Sequence, residues 1–151
     1  MKRLVLLLVA GLVLAGCGGG GGNKTPSTTT SSTGFTAADR AQVTSAYEQF
    51  FSGKTPLPDR ISVLQNGPKF RKVVQGFASN PLAKNVAVTV SSVKPAGANK
   101  AKVVYQVKFA GSSLPTQKGT AVRENGTWKV GDASLCKLIA LQGSTPAVCK
   151  P

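Results

Sequence analysis

Carboxylates are the candidates for acid–base chemistry in this chain, which contains five acidic residues and no histidine. Asp39, Glu48 and Asp59 fall at predicted helix starts or on a polar helix face, and Glu124 precedes a predicted turn. Asp132 follows the last predicted strand, where an aspartate of raised pKa beside a tyrosine hydroxyl could act as a general base. The alternative is that Asp132 caps the last helix. Because no nucleophile can be paired with a base, we predict no catalytic residue, no cofactor and no enzyme activity.

Cysteines form a second group of reactive residues, one near the N-terminus and two near the C-terminus. Cys136 and Cys149 are an even pair in a domain that is predicted to be exported, which favours a disulfide over two free thiols. A bridge over a loop of this length stabilises a domain by about 3 kcal/mol. Two cysteines without any histidine do not make a zinc site, so no metal is predicted.

The first 16 residues have the pattern of a signal peptide. Lys2 and Arg3 form a positive start, and the apolar run at 4–14 is shorter than the roughly 17–25 residues of a membrane span. A cut before Cys17 by an ordinary signal peptidase would place a leucine three residues before the cut, which is a poor fit. The sequence LAGC at 14–17 instead resembles the lipobox of bacterial lipoproteins. The alternative is a secreted protein whose cysteine merely lies near the cut.

The lipobox resemblance implies that Cys17 receives a diacylglyceryl thioether, with further acylation such as palmitate. Stable anchoring takes two or more acyl chains, which a diacylglyceryl group supplies. We therefore predict a lipoprotein signal peptide at 1–16 and a chain anchored to the extracytoplasmic face of the cell membrane. Residues 17–34 comprise the lipidated cysteine and a Gly/Ser/Thr-rich linker, which is predicted to be flexible because it lacks large apolar side chains.

Basic residues greatly outnumber acidic ones, and the formal charge of the chain is +14. Without Lys2 and Arg3, 17 basic and 5 acidic residues remain. Such an excess indicates anionic surroundings, which could be phospholipid head groups, acidic wall polymers or acidic protein partners. Export and the lack of a nucleic-acid-binding motif argue against nucleic acid.

Residues 35–151 are predicted to form one domain that begins with three helices. The sequence TAAD at 36–39 resembles a capping box, and Gly53 is predicted to cap the end of the first helix. Further helices are predicted at 58–65 and 69–79. The apolar positions with helical spacing in the first helix are Val43, Ala46, Tyr47, Phe50 and Phe51, and those in the third are Phe70, Val73, Val74 and Phe77.

Beyond residue 80 the apolar period changes from 3.6 to 2, which predicts four strands. Their predicted ranges are 86–91, 102–109, 118–124 and 127–131. The dipeptide Asn125-Gly126 predicts a tight hairpin between the last two strands. A short final helix is predicted at 133–141.

Helices followed by an antiparallel meander predict an α+β domain, with the helices packed on one face of a four-stranded sheet. The element order resembles the nuclear-transport-factor-like (cystatin-like) cone, in which a curved sheet wraps the long first helix. The sequence is similar to the mycobacterial low-molecular-weight secreted antigen family, found as secreted proteins and lipoproteins in actinobacteria. The stretches that carry this resemblance are AYEQFF at 46–51, WKV at 128–130 and SLC at 134–136. They are packing motifs, and the family supplies no settled biochemical function.

Aromatic residues on the predicted inward faces are the candidates for a ligand pocket. An incompletely filled cone would leave an apolar cleft, which is typical of a small-ligand site. The alternative is that the rings simply fill the core. The residues are Tyr47, Phe50, Phe51, Phe77, Tyr105, Phe109 and Trp128.

Lysines on the opposite sheet face form a predicted basic face, represented by Lys102, Lys108 and Lys129. The alternative is a solvated face whose charges discourage edge pairing. The sequence thus favours a non-enzymatic envelope lipoprotein that binds an apolar or lipid-like ligand. The second hypothesis is an interaction protein whose basic face docks on anionic lipid, wall polymer or a protein.

Overall fold

A computed structural model describes residues 34–79, 81–109, 111–141, 143 and 145–150. The predicted signal peptide, Cys17 and the linker up to residue 33 lie outside the described residues. The described core residues and both cysteines of the disulfide lie within one compact unit. This part of the chain therefore contains its own core and its own cross-link.

Helix α1, Ala37–Phe51, begins with the predicted capping box. Thr36 Oγ1 accepts from Asp39 N at 3.0 Å, and Asp39 Oδ2 accepts from Thr36 N at 2.8 Å. The predicted apolar face is buried, since Val43, Ala46, Tyr47, Phe50 and Phe51 all belong to the core. The capping box thus satisfies two backbone donors at the helix start, and the apolar face of the helix packs on the sheet.

The end of α1 differs from the prediction because Ser52, in an extended conformation, is the C-cap and Gly53 is not. Gly53 instead lies against the backbone carbonyls of Ala83 and Lys84, where a Cβ atom would clash. Its small size therefore serves a close approach between two chain segments.

Helices α2, Leu57–Ser62, and α3, Gly67–Ala78, follow α1. Helix α2 is shorter than predicted because residues 63–65 leave the helix and lie beside the last strand, Thr127–Val130. Leu64 forms a parallel bridge with Val130, and the Gln65 N–H donates to the Val130 carbonyl at 2.9 Å. A short 3₁₀ segment, Pro81–Asn85, leads into the sheet.

The sheet contains strands β1 (Val86–Pro95), β2 (Lys100–Phe109), β4 (Gln117–Glu124) and β5 (Thr127–Val130), in the spatial order β1-β2-β4-β5. All of these pairs are antiparallel, and the sheet is curled. A two-residue strand that was not predicted, β3 (Ser112–Ser113), pairs with the end of β2. Strand β1 is longer than predicted and has a bulge between Val90 and Ser92.

The β4–β5 hairpin turns at Asn125 and Gly126, as predicted. Both residues have positive φ, 50° and 79°. This combination is what a two-residue type I′ turn requires, and asparagine and glycine adopt it at little cost.

Helix α4, Asp132–Ala140, completes the α+β fold that was predicted. Its buried residues Leu135 and Ile139 join the same core as α1 and the inward face of the sheet. A second 3₁₀ segment, Ala147–Cys149, lies near the end of the described chain. No helix among the described residues combines the length and hydropathy needed to cross a bilayer.

Candidate functional site

An apolar cleft of about 380 Å³ opens between helices α1, α3 and α4 and the inward face of the sheet. Its volume lies within the roughly 300–1,000 Å³ of typical small-molecule sites. Its lining consists of Phe50, Phe51, Arg60, Val74, Phe77, Ala83, Val86, Val107, Phe109, Leu114, Leu135, Leu138 and Ile139.

The elements that border the cleft place their side chains by simple periodicity. The two phenylalanines of α1 are adjacent and occupy its last turn, with ring centroids 4.9 Å apart in an edge-on arrangement. Val107 and Phe109 share the inward face of β2 because side chains alternate along a strand. Leu135, Leu138 and Ile139 follow the 3–4 spacing of one helix face. The cleft is therefore built mainly by regular elements, and Leu114 contributes from the segment between β3 and β4.

Arg60 is the sole charged residue among those that line the cleft. It is only 7% exposed, and its guanidinium donates to two backbone carbonyls. Nε reaches Thr55 O at 2.9 Å and Nη2 reaches Ser52 O at 2.6 Å. Burial lowers the pKa of Arg60 from its usual value. The cation is thus held in an apolar wall by neutral acceptors.

The predicted pocket aromatics separate into two groups. Phe50, Phe51, Phe77 and Phe109 line the cleft. Tyr47, Tyr105 and Trp128 do not, because they lie deeper and are at most 2% exposed. These three side chains fill the core, which agrees with the alternative prediction that the aromatic rings serve packing and not ligand binding.

Tyr47 joins α1 to the middle of the sheet through its hydroxyl. Oη donates to Thr120 O at 2.7 Å and lies 3.3 Å from Ser134 Oγ. Ser134 Oγ accepts from Thr120 N at 2.7 Å, so helix α4 bonds to the backbone of the same residue. Burial raises the pKa of Tyr47 well above its usual range and that of Tyr105 to about 12. Both phenols are therefore neutral at physiological pH.

Asp39 has a role that the capping pattern did not reveal. Its Oδ1 accepts a 2.8 Å hydrogen bond from Trp128 Nε1 and lies 3.5 Å from Arg123 Nη1. Asp39 is 4% exposed. Hydrogen bonds from Thr36 and Trp128 hold its pKa at about 2. Asp39 is a structural anion that ties the helix start to β5.

Asp132, the candidate general base, is not the N-cap of α4, since Gly131 holds that position. Asp132 is the first helical residue, and its Oδ2 accepts from Asn66 Nδ2 at 2.8 Å. It does not line the apolar cleft. Among the described residues, no group of three or more His, Cys, Asp or Glu side chains is arranged to hold a metal ion.

The predicted basic-face lysines are not one cluster. Lys102 lies on the outer face of β2 among other lysines, whereas Lys108 is six residues further along the strand, roughly 20 Å away. Lys129 lies 3.5 Å from Glu124 as an ion pair. A second cleft is lined by Lys102 and by three lysines that were not predicted as functional residues, namely Lys94, Lys118 and Lys137. The alternation along β4 could have revealed Lys118, but the bulge in β1 concealed Lys94.

The predicted disulfide joins Cys136 in α4 to Cys149 in the last 3₁₀ segment, with a Cα–Cα distance of 5.5 Å. Cys136 and Cys149 also pack against the core. The bridge thus fastens the C-terminal segment to a helix that borders the apolar cleft.

Together these features define a small α+β protein with a curled antiparallel sheet, helices on its inner face and an apolar cleft. Residues 36–146 match the family described as low molecular weight antigen MTB12, C-terminal domain. The chain belongs to this family, which confirms the resemblance drawn from the sequence. A search of curated proteins found none with significant similarity. The family match covers the helices and the sheet but does not assign a role to any cleft residue.

Proposed function

We propose that this protein is a non-enzymatic, lipid-anchored envelope protein on the extracytoplasmic face of the cell membrane. Its cleft takes a small amphipathic ligand with an acyl-like chain. The observation that carries the proposal is the cleft itself, whose lining is apolar except for Arg60. An apolar chain that enters such a cleft gains about 25 cal/mol for each Å² of apolar surface removed from water.

The buried guanidinium of Arg60 is the reason for expecting an anionic head group on that ligand. Within the described part of the chain, neither ion pair includes Arg60. A buried cation of this kind favours an anion within reach, because opposite charges interact more strongly when both are partly desolvated. The two carbonyl acceptors keep the guanidinium in place before any ligand arrives. A carboxylate or phosphate at the end of an acyl chain fits this arrangement.

Binding without turnover is supported by the chemistry of the lining. The lining residues include no acid, serine, cysteine or lysine that could act as a base or nucleophile. The nearby Tyr47 hydroxyl donates to a backbone carbonyl and stays protonated. The anchor part of the proposal rests on the lipobox resemblance at Cys17.

The test titrates the protein lacking residues 1–33 with cis-parinaric acid, whose fluorescence increases in an apolar site. Leu138→Trp fills the cleft and should abolish the signal. Leu141→Trp places the same bulk on an exposed neighbour, 65% accessible, and should not. The methyl ester of the probe should bind more weakly because it offers Arg60 no charge. Equal binding by the two tryptophan variants would refute the cleft as a ligand site.

The alternative of an interaction protein that docks through a basic face uses different residues. The specific observation that favours it is the lysine-rich surface on the outer side of the sheet. The two functions do not exclude each other, because the clefts lie on opposite faces.

A further inference from the structure

An open cleft of about 730 Å³ lies on the outer face of the sheet, beside the start of helix α4. We call it the lysine cleft. Four exposed lysines contribute to its lining, three from the sheet and one from α4. They are Lys94 (β1), Lys102 (β2), Lys118 (β4) and Lys137 (α4). Its lining also includes the hydroxyl residues Ser92, Thr120 and Ser134.

Strand register brings the three sheet lysines together. Lys94 pairs directly with Lys102 across β1 and β2. Lys118 pairs with Val104, two residues along β2 from Lys102, and is therefore a diagonal neighbour. Directly opposed residues have Cβ atoms about 4.5–5.5 Å apart, and diagonal neighbours about 7–8 Å. The directly opposed charges of Lys94 and Lys102 destabilise the sheet unless something compensates them.

Helix α4 adds the fourth positive charge from another direction. The β4–β5 ladder ends near Thr120, whose carbonyl accepts from Gly131 N at 2.8 Å, and α4 begins immediately afterwards. The Ser134 bond to Thr120 holds the first turn of α4 beside β4. Lys137, one turn further on, therefore lines the cleft from its helical side.

The described part of the chain supplies no anion to this cleft. Its ion pairs are Arg123–Asp39 and Lys129–Glu124, and neither includes a lysine of the cleft. None of the residues that line the cleft is acidic. A concave surface with one sign of charge concentrates its field and attracts counter-ions. The opposed lysine pair and the unbalanced charge both indicate an anion from outside the chain.

We propose that the lysine cleft binds a phosphate-bearing anion. A lysine ammonium is a compact point charge, which suits phosphate, whereas the planar carboxylate is matched better by the fork of arginine. No arginine lines the cleft, and Ser92 and Thr120 offer hydroxyl donors to phosphate oxygens. The phosphate can belong to a phospholipid head group or to a soluble phosphate compound. The site is independent of the apolar cleft and of its ligand.

The experiment uses the protein lacking residues 1–33, with circular dichroism to verify the fold of each variant. One arm measures binding of sodium tripolyphosphate by calorimetry, and the other measures sedimentation with phosphatidylglycerol vesicles, with phosphatidylcholine vesicles as the uncharged reference. The test variant is Lys102→Gln/Lys118→Gln. The control variant, Lys69→Gln/Lys72→Gln, removes the same charge from exposed positions on α3.

The test variant should bind about thirtyfold more weakly, since each lysine near an anionic surface contributes about 1 kcal/mol and 1.4 kcal/mol is tenfold. The control variant should lose much less, and binding should weaken as salt rises. Loss confined to the vesicle arm identifies a lipid head group, and loss in the tripolyphosphate arm identifies a soluble phosphate. Equal losses in the test and control variants, or no binding in either arm, would overturn the proposal.

Discussion

Trp128 donates its indole N–H to Asp39 Oδ1 across 2.8 Å, so that β5 is bonded to the first turn of α1. The other oxygen of Asp39 accepts from both the N–H and the hydroxyl of Thr36, at 2.8 Å each. The ring of Phe35 packs edge-on against Trp128, with centroids 5.4 Å apart. A helix-capping residue thus also completes the hydrogen bonding of the largest buried side chain.

Removing this acceptor should destabilise the domain. Asp39→Ala leaves the buried Trp128 N–H without its partner and removes the capping box, whereas Asp39→Asn retains an acceptor and should cost less. Urea unfolding should show this order, with Glu48→Ala on the exposed face of α1 within about 0.5 kcal/mol of the unmodified protein. Trp128→Ala should cost about 3–5 kcal/mol. A loss for Asp39→Ala no larger than that for Glu48→Ala would contradict this role.

Acid should weaken the domain through Asp39. Its pKa is lowered from 3.8 to about 2 in the folded protein by hydrogen bonds from Thr36 and Trp128. A carboxyl group whose pKa is lower in the folded state than in the unfolded state stabilises the fold at pH values above its unfolded-state pKa. This stabilisation is lost as the pH falls through the folded-state pKa. The free energy of unfolding should therefore decrease between about pH 4 and pH 2. Asp39→Asn should flatten this part of the profile and Glu48→Gln should not, and parallel profiles would argue against the assignment.

Gly119 should not tolerate a side chain. A Cβ atom there would lie 2.5 Å from Tyr47 Oη and 2.9 Å from Ser134 Oγ, the hydroxyls that bond to Thr120. We expect Gly119→Ala to lower the free energy of unfolding by about 1–3 kcal/mol, as overpacking does. Gly76→Ala in α3 is the matched control, because it has open space and should gain about 0.5–1 kcal/mol of helix stability. Equal effects of the two substitutions in thermal unfolding would refute the close contact at Gly119.

The disulfide should contribute measurably to stability. Replacing both Cys136 and Cys149 with alanine leaves no free thiol and should cost about 3 kcal/mol, as expected for a loop of this length. The cost is the difference in free energy of unfolding between the oxidised protein and the double alanine variant, measured with urea. Reducing the disulfide of the unmodified protein should lower its free energy of unfolding to that of the variant. Tryptic mapping without reductant should give one cross-linked pair. Full alkylation of both cysteines in exported protein would exclude the bridge.

Cys17 should be the site of lipid attachment. In an actinobacterial host, Cys17→Ala should leave an unprocessed or misprocessed precursor that incorporates no radiolabelled palmitate. Cys149→Ala is the control, since it removes a cysteine without touching the lipobox and should retain the label. Normal labelling of the Cys17→Ala protein would show that the lipobox interpretation is wrong.

Much of the fold could be predicted because its signals are local. Helical spacing located the buried face of α1, and Asn125-Gly126 located the hairpin, since both depend on neighbouring residues. The bond between Asp39 and Trp128 spans 89 positions in sequence. It depends on the curvature that brings β5 over the start of α1, which no local pattern reports.

For the residues of the two clefts, too, local patterns could be predicted from the sequence and long-range features could not. Alternation placed Lys102 on the outer face, but Lys94 lies beyond residue 91, where the first strand was predicted to end, and was therefore not assigned to a face. The bulge between Val90 and Ser92 adds one residue, after which Val93 points inward and Lys94 outward. A bulge reverses the face of every later residue in its strand. Arg60 was missed because a charged residue on a short helix gives no sequence signal of burial.

The start of the domain also has a mechanical consequence. Tension on the chain that precedes Phe35 enters the fold at residues 35–40. Trp128 receives part of this load through Phe35 and Asp39, and Arg40 passes another part to β1, since it donates to the Val93 carbonyl. Strands β1 and β5 are the two ends of the four-strand order. A pull on the preceding chain is therefore shared by both margins of the sheet, so α1 resists separation from either side.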